Sequence, residues 1–331
     1  MIRTAVIGVG HLGGSHARTY KKIDDCKLVG LFDTDKEKSK EIGRQNGVRT
    51  FDSLGELLDE CDAVSIATPT PTHFEIGMEV IKAGKHLLIE KPISANVDQA
   101  QKLVDLAVAK GVILQVGHIE RFNPAFSASR KYIGRPLFIE SHRLTQFAGR
   151  GTEVDVILDL MIHDIDIILE LTGEEPSEIR GAGAPVLTET SDIANVRLEF
   201  PSGCTANITA SRISAHPMRK MRIFQKAGYI SIDFAERKSE VYLLGGNDEI
   251  IGDIAPIFRI PSGIEGKSIQ IIHPEVRKVD MLEEEIRDFI TSMQKNITPK
   301  VDGYAGLRAL KVAAMIMNTM PKLPMEMEKD G

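Results

Sequence analysis

Up to about residue 117 the chain alternates short continuous apolar runs with stretches whose apolar positions recur every three or four residues. The runs fall at 2–7, 27–32, 63–67, 86–89 and 112–116. Runs of that length, bounded by turn residues, predict buried strands. The helical period covers 15–23, 36–46, 74–83 and 97–109, and Gly84 and Gly111 stand where helices end. Alternating strands and helices predict βαβ units, and so a doubly wound parallel sheet of the Rossmann type.

Beyond that point the pattern changes. A helix is predicted over 156–171, followed by near-alternating segments at 179–187, 193–200, 204–213 and 221–234. Pro201-Ser202-Gly203, Ala227-Gly228 and Gly245-Gly246-Asn247 punctuate them as turns. Alternation with turns predicts a mostly antiparallel open sheet with one face covered. Helices are predicted over 280–294 and 304–317. The whole is therefore α/β, with a first, parallel-sheet domain over 1–119 and an α+β second domain over 120–318. The last helix is expected to return toward the first domain, and 319–331 form a tail. Apolar residues on the uncovered sheet face predict a homodimer or homotetramer through that sheet.

Composition narrows the function classes. The chain is 42% hydrophobic and 27% charged over 331 residues, which allows two cores. A net charge of −6 without a Lys/Arg cluster gives nucleic acid no electrostatic footprint. No apolar run is long enough to cross a bilayer, and none resembles a signal peptide. Cys26, Cys61 and Cys204 are too few and too scattered for a disulfide framework or structural zinc. A reducing compartment, the cytoplasm, is expected.

Chemistry enters at Gly8-Val9-Gly10-His11-Leu12-Gly13, a G-x-G-x-x-G between the first strand and the first helix. Gly8 allows the tight turn, Gly10 lets backbone approach a pyrophosphate, and Gly13 lets helix and strand pack closely. The helix start offers free N–H groups to phosphate, with His11 and Leu12 in its first turn. Asp33 ends the second strand twenty residues past Gly13, where a carboxylate meets ribose hydroxyls. Beside a 2′-phosphate about 4 Å away it would cost roughly 4 kcal/mol per unit charge at intermediate dielectric. NAD is therefore expected over NADP. A plain helix cap is the alternative for Asp33, though Thr34 or Asp35 would serve equally.

Three more segments stand out: Ala67-Thr68-Pro69-Thr70-Pro71-Thr72-His73, Glu90-Lys91-Pro92, and Asp159-Leu160-Met161-Ile162-His163-Asp164-Ile165-Asp166. With the glycine loop they make the chain resemble the glucose–fructose oxidoreductase/inositol dehydrogenase family (Gfo/Idh/MocA), from residue 1 to about 318. The resemblance implies that Thr68, Pro69, His73 and Glu90 line the cofactor cleft and that Lys91, Asp159 and His163 are catalytic. Many members carry glycine where Met161 stands, so a narrowed substrate pocket is expected here. Gly117-His118-Ile119-Glu120-Arg121-Phe122-Asn123-Pro124 resembles a subgroup that oxidises UDP-amino sugars to 3-keto sugars. This implies substrate contacts at His118, Glu120, Arg121 and Asn123.

Asp159 and His163, four apart on a helix, share one face. Oxidising a secondary alcohol needs a base near neutrality, which suits His163. Lys91 would stabilise the developing alkoxide and Asp159 would orient the substrate. The Asp159/His163 spacing also fits a metal, but alcohol oxidation by NAD beside a lysine needs none, so none is predicted. Arg121 would pair with a pyrophosphate or make a salt bridge; Arg143, Arg150 and Arg219 are further candidates. Two alternatives stay open: a dehydrogenase of a free sugar or cyclitol, and a non-catalytic NAD-binding regulator.

Overall fold

The computed structural model describes residues 1–147, 149, 154–246 and 256–320. Arg150, Asn247 and the tail from residue 321 therefore lie outside the described residues. The chain forms two compact units, residues 1–127 with 277–311, and residues 128–276 with 312–331.

The first unit contains β1 (Ile2–Ile7), α1 (His11–Tyr20), β2 (Cys26–Phe32), α2 (Lys36–Asn46), β3 (Arg49–Thr50), α3 (Leu54–Glu60), β4 (Ala63–Ile66), α4 (His73–Lys82), β5 (His86–Glu90), α5 (Val97–Lys110) and β6 (Leu114–Gly117). The six strands are parallel in the order β3-β2-β1-β4-β5-β6. The order reverses between β1 and β4, and in such sheets ligands bind at the carboxyl ends of the strands at that reversal. β4 and β5 are apolar on nearly every residue because helices cover both sheet faces. Sequence pattern missed β3 and α3, whose two and seven residues are too short for a periodic signal.

Residues 277–302, read with the second domain, belong to the first unit, together with 303–311 of the last helix, which was expected to return toward it. Among them, Ile286 and Ile290 of α8 (Met281–Lys295) join Val6, Ala17, Tyr20 and Leu31 in one core cluster. Phe289, fully buried, packs on Ala63 and Leu88. Burying each such side chain is worth about 1.5–3 kcal/mol, so the amphipathic helix goes where the parallel sheet offers apolar area.

The second unit contains α6 in part (Pro124–Ser129), β7 (Pro136–Leu144), α7 (Ile162–Thr172), β8 (Glu178–Ala184), β9 (Ile193–Glu199), β10 (Thr205–Ser211), β11 (Met218–Gln225), β12 (Gly228–Asp233), β13 (Lys238–Gly246), β14 (Phe258–Pro261) and β15 (Lys267–Ile272). Among the described residues its nine strands run β14-β15-β13-β12-β11-β7-β10-β9-β8, antiparallel except for β7 with β10. β7 was not legible because its inward positions include Ser141 and Arg143 rather than apolar residues. Both bond Asp164 of α7: Arg143 Nε at 2.7 Å and Ser141 Oγ at 2.9 Å. Gly245 and Gly246, read as a turn, instead finish β13, which is paired with β15. The last helix, α9 (Gly303–Thr319), gives its residues up to Lys311 to the first unit and the rest to the second.

One buried group in the first unit is out of keeping with its apolar core. Glu285 of α8 is fully buried, and neither carboxyl oxygen has a hydrogen-bond partner. Burial, with Glu90 and Asp288 nearby, raises its pKa well above the usual 4.5. A carboxyl held protonated by the fold contributes its full stability below its unfolded pKa and loses it as pH climbs toward the folded value. Glu285→Gln removes that titration. Its melting temperature relative to wild type should therefore rise steadily between pH 5 and pH 8. A difference that is constant over this range would show that Glu285 is ionised in the fold.

Candidate active site

The glycine loop follows β1 and is built by backbone contacts. Gly8 has φ +83° and donates to Phe32 O at 2.8 Å. A Cβ on Gly13 would sit 1.8 Å from Gly8 O, so α1 lies on the end of β1 with no room for a side chain. A Cβ on Gly10 would meet only Lys38 Nζ, at 3.8 Å. The two glycines thus do different things: Gly13 closes the packing, while Gly10 leaves backbone open to a ligand. Gly10 caps α1 with no side-chain hydrogen bond, so the first N–H groups of the helix face outward beside exposed His11 and Leu12.

The cleft around this loop is lined by Gly8, Gly10, Asp33, Lys38, Thr68 and Pro69, among others. Asp33 accepts Val9 N at 2.7 Å and Asp35 N at 2.9 Å, one on each carboxylate oxygen. It is therefore not the cap of α2, a task done by Asp35, which accepts Lys38 N. It fixes the glycine loop and keeps lone pairs for a ribose. Lys38, from the first turn of α2, brings its amine over Gly10.

His73 is buried between two carbonyl oxygens, Nδ1 2.9 Å from Pro92 O and Nε2 2.8 Å from Thr68 O. Burial lowers its pKa, and the neutral ring donates to one of the two at a time. Expected to line the cofactor cleft, it sits between the Thr68 and Pro92 loops. Glu90 ends β5 with its carboxylate turned inward, Oε1 at 2.8 Å from His16 Nε2. Half-buried Lys91 follows, joined to Pro92 by a cis peptide bond. After β6, the turn Ile119–Phe122 bears half-buried Arg121. Among its neighbours, Asn123 Nδ2 bonds Glu120 Oε2 at 3.0 Å and Asn123 Oδ1 accepts Ala125 N at 3.1 Å. Both are buried, as is His118.

In the second unit, Asp159 lies in a π-helical turn, Ile157–Met161, that leads into α7. It and His163 are half-buried, whereas α7 beyond His163 is buried up to Leu169. Asp155 starts the turn by accepting Ile157 N at 2.9 Å. Asp155 also receives Ser191 N at 3.2 Å, and the loop before Ser191 wraps Asp192. Asp192 Oδ2 accepts Val186, Leu187 and Thr188 N, while Oδ1 takes Arg212 Nε at 2.8 Å. Backbone donors and Arg212 outweigh burial and hold the Asp192 carboxyl far below the usual carboxylate range. Sequence reading missed this support, because its polar residues come from three distant segments.

Met161 is fully buried. Arg143 is buried and paired with Asp164, which spends it as a phosphate ligand. Arg219 is exposed on β11. The three cysteines are free and buried, and burial pushes each thiol up to about 11. Among the described residues no three His, Cys, Asp or Glu side chains gather as a metal site, and no helix is long and apolar enough to cross a membrane.

A parallel sheet with this glycine loop, and a match of residues 2–118 to the model of an oxidoreductase family with an NAD-binding Rossmann fold, define the first unit as an NAD-binding domain. Residues 128–231 match the GFO/IDH/MocA C-terminal domain. The chain belongs to the Gfo/Idh/MocA family of oxidoreductases. It is 38% identical over 316 residues to the UDP-N-acetylglucosamine 3-dehydrogenase of Acidithiobacillus ferrooxidans, across 95% of this chain and 96% of the relative. The solved structure of that enzyme superposes with a TM-score of 0.87, covering 96% of this chain and 97% of the other. The myo-inositol 2-dehydrogenase of Thermotoga maritima is 27% identical across 93% of each chain.

The different packing at the two glycines is directly testable. Gly13→Ala should lower the melting temperature by several degrees and weaken NADH binding, because helix and strand must separate. Gly10→Ala should melt within about 1 °C of wild type yet bind NADH at least about tenfold more weakly. Calorimetry with NADH fluorescence titration reads both. Equal losses of stability in the two variants would refute the division of roles.

Proposed function

We propose that the chain oxidises a secondary hydroxyl of a UDP-amino sugar to a ketone. The observation that carries this reading is the full-length likeness, 38% identical, to an enzyme named for that class of substrate. When bound, NAD supplies the acceptor for the hydride. His163 removes the hydroxyl proton. The Lys91 ammonium stabilises the oxygen as charge develops on it, and Asp159 orients the sugar. Arg121 pairs with the substrate's pyrophosphate through its planar fork. Glu120 and Asn123 hold the turn that presents it. A cyclitol dehydrogenase is the second reading, favoured by the inositol-oxidising relative.

The protein works in the cytoplasm, where its buried thiols stay reduced. It associates through the uncovered face of the nine-stranded sheet. Support for that comes from a stripe of aromatic rings there: Phe224 and Tyr229 have centroids 5.3 Å apart, and Tyr229 and Tyr242 stack at 4.3 Å.

Purified protein should reduce NAD with UDP-N-acetylglucosamine, and His163→Ala should cut kcat by about two to four orders of magnitude. Arg121→Ala should raise the KM for UDP-N-acetylglucosamine about tenfold or more while leaving any residual turnover of free N-acetylglucosamine unchanged. Turnover of myo-inositol with none of the nucleotide sugar would sink the first reading in favour of the second.

Cofactor choice is a separate expectation. NADH should bind at least about a hundredfold more tightly than NADPH, from the charge repulsion at Asp33. Asp33→Asn should narrow that ratio. Equal affinities in the wild-type protein would show that Lys38 neutralises the 2′-phosphate.

A further inference from the structure

Lys91 sits between two residues that are each fixed by a buried histidine. On one side is Glu90, whose carboxylate lies against β6 so closely that a Cβ on Gly117 would come within 2.9 Å of its Oε2. Its other oxygen meets His16 Nε2 at 2.8 Å. His16 Nδ1 is 3.1 Å from Ser65 Oγ, which is 2.8 Å from Tyr20 OH. One proton order satisfies this whole chain: Tyr20 donates to Ser65, Ser65 to His16 Nδ1, and His16 Nε2 to Glu90. Burial raises the Tyr20 pKa, which keeps the phenol a donor. On the other side is Pro92, whose carbonyl oxygen is 2.9 Å from His73 Nδ1.

The elements that supply these groups also build the cofactor cleft. His16 belongs to α1, the helix that starts at the glycine loop. His73 starts α4, and its second nitrogen is 2.8 Å from Thr68 O in the cleft wall. The charged and titratable groups near Glu90 are His16 from α1, Lys91 beside it, His73 from α4 and Glu285 from α8. Burial opposes ionisation of Glu90, but His16, Lys91 and His73 together hold its carboxyl below the usual range.

We propose that His16 and His73 form a two-sided grip that positions Lys91, and that Glu90, locked by His16, is the fixed anion against which the Lys91 ammonium is set. The grip rests on the reading of Lys91 as the cation that stabilises the substrate oxygen. It adds three positioning residues to that reading. It also ties Lys91 to the helix that takes the phosphates and to the Thr68 loop.

The test begins without substrate. Trace labelling of lysines with acetic anhydride across pH, read by mass spectrometry of the full chain with and without NADH, gives the half-labelling pH of Lys91. In Glu90→Gln this should fall by about one unit or more, since an adjacent opposite charge is lost, while Lys36 stays unchanged. His16→Ala should move it the same way. His16→Gln, which still offers a donor to Glu90, should restore it. His73→Ala should leave the half-labelling pH in place but lower kcat with UDP-N-acetylglucosamine about tenfold at saturating NAD and sugar; an unchanged kcat would remove His73 from the grip. If His16→Ala fails to fold, Glu90→Gln and His16→Gln decide the matter. An unmoved Lys91 in Glu90→Gln overturns the grip. A shifted Lys91 in a protein that turns over no sugar leaves the grip standing and removes the proposed reaction.

Discussion

The first unit depends on one contact between two stretches of backbone, the Cα of Gly13 against the carbonyl of Gly8. Because nothing stands between them, α1 starts at the carboxyl end of β1 rather than beside it. The open N–H groups of the helix then fall at the strand-order reversal, next to the loops that follow β2 and β4. Asp33 makes the arrangement rigid by accepting from Val9 within the loop itself. A dinucleotide site is thus a by-product of how closely a helix can meet a strand end.

The same economy governs the polar groups. Elsewhere the sheet is wrapped in Ile, Leu and Val, but the layer under the strand ends contains Ser65, Glu90, His16, Tyr20, Gln115 and Glu285. Such groups are costly to bury unless bonded. Most of these are bonded, and burial raises the pKa of Glu285, which favours its uncharged form. In the second unit, Arg143 with Asp164 and Arg212 with Asp192 play the corresponding part, fixing α7 and the turn before it to the sheet. Buried ion pairs add little net stability against an apolar alternative, but they do fix geometry.

Much of this was legible from periodicity. The parallel sheet, its helices α2, α4 and α5, and the alternating strands β8 to β10 follow the hydrophobic pattern closely. The failures share a cause. β7 carries polar residues on its covered face, so alternation fails there. The move of α8 to the first unit is a tertiary choice that local sequence does not encode. Among site residues, those marked by glycines or by a charged tripeptide stood out. Glu120, Asn123 and Arg143 were named for ligand contacts, and the fold gives each of them a protein partner that the sequence does not announce. Residue type tells what a side chain can bond, and only the fold tells which partner reaches it first. Arg212 and Asp192 carried no local signal at all.

The division of the chain has a consequence for how it is made. The first 127 residues leave the ribosome without α8, which covers Ala63, Leu88 and part of the α1 face. Until residues near 290 are synthesised, that apolar layer has no permanent cover. The nascent Rossmann half must therefore wait, partly bare, for a helix encoded more than 150 residues downstream. A truncated transcript ending after the sixth strand would yield a sticky fragment rather than a small NAD-binding protein.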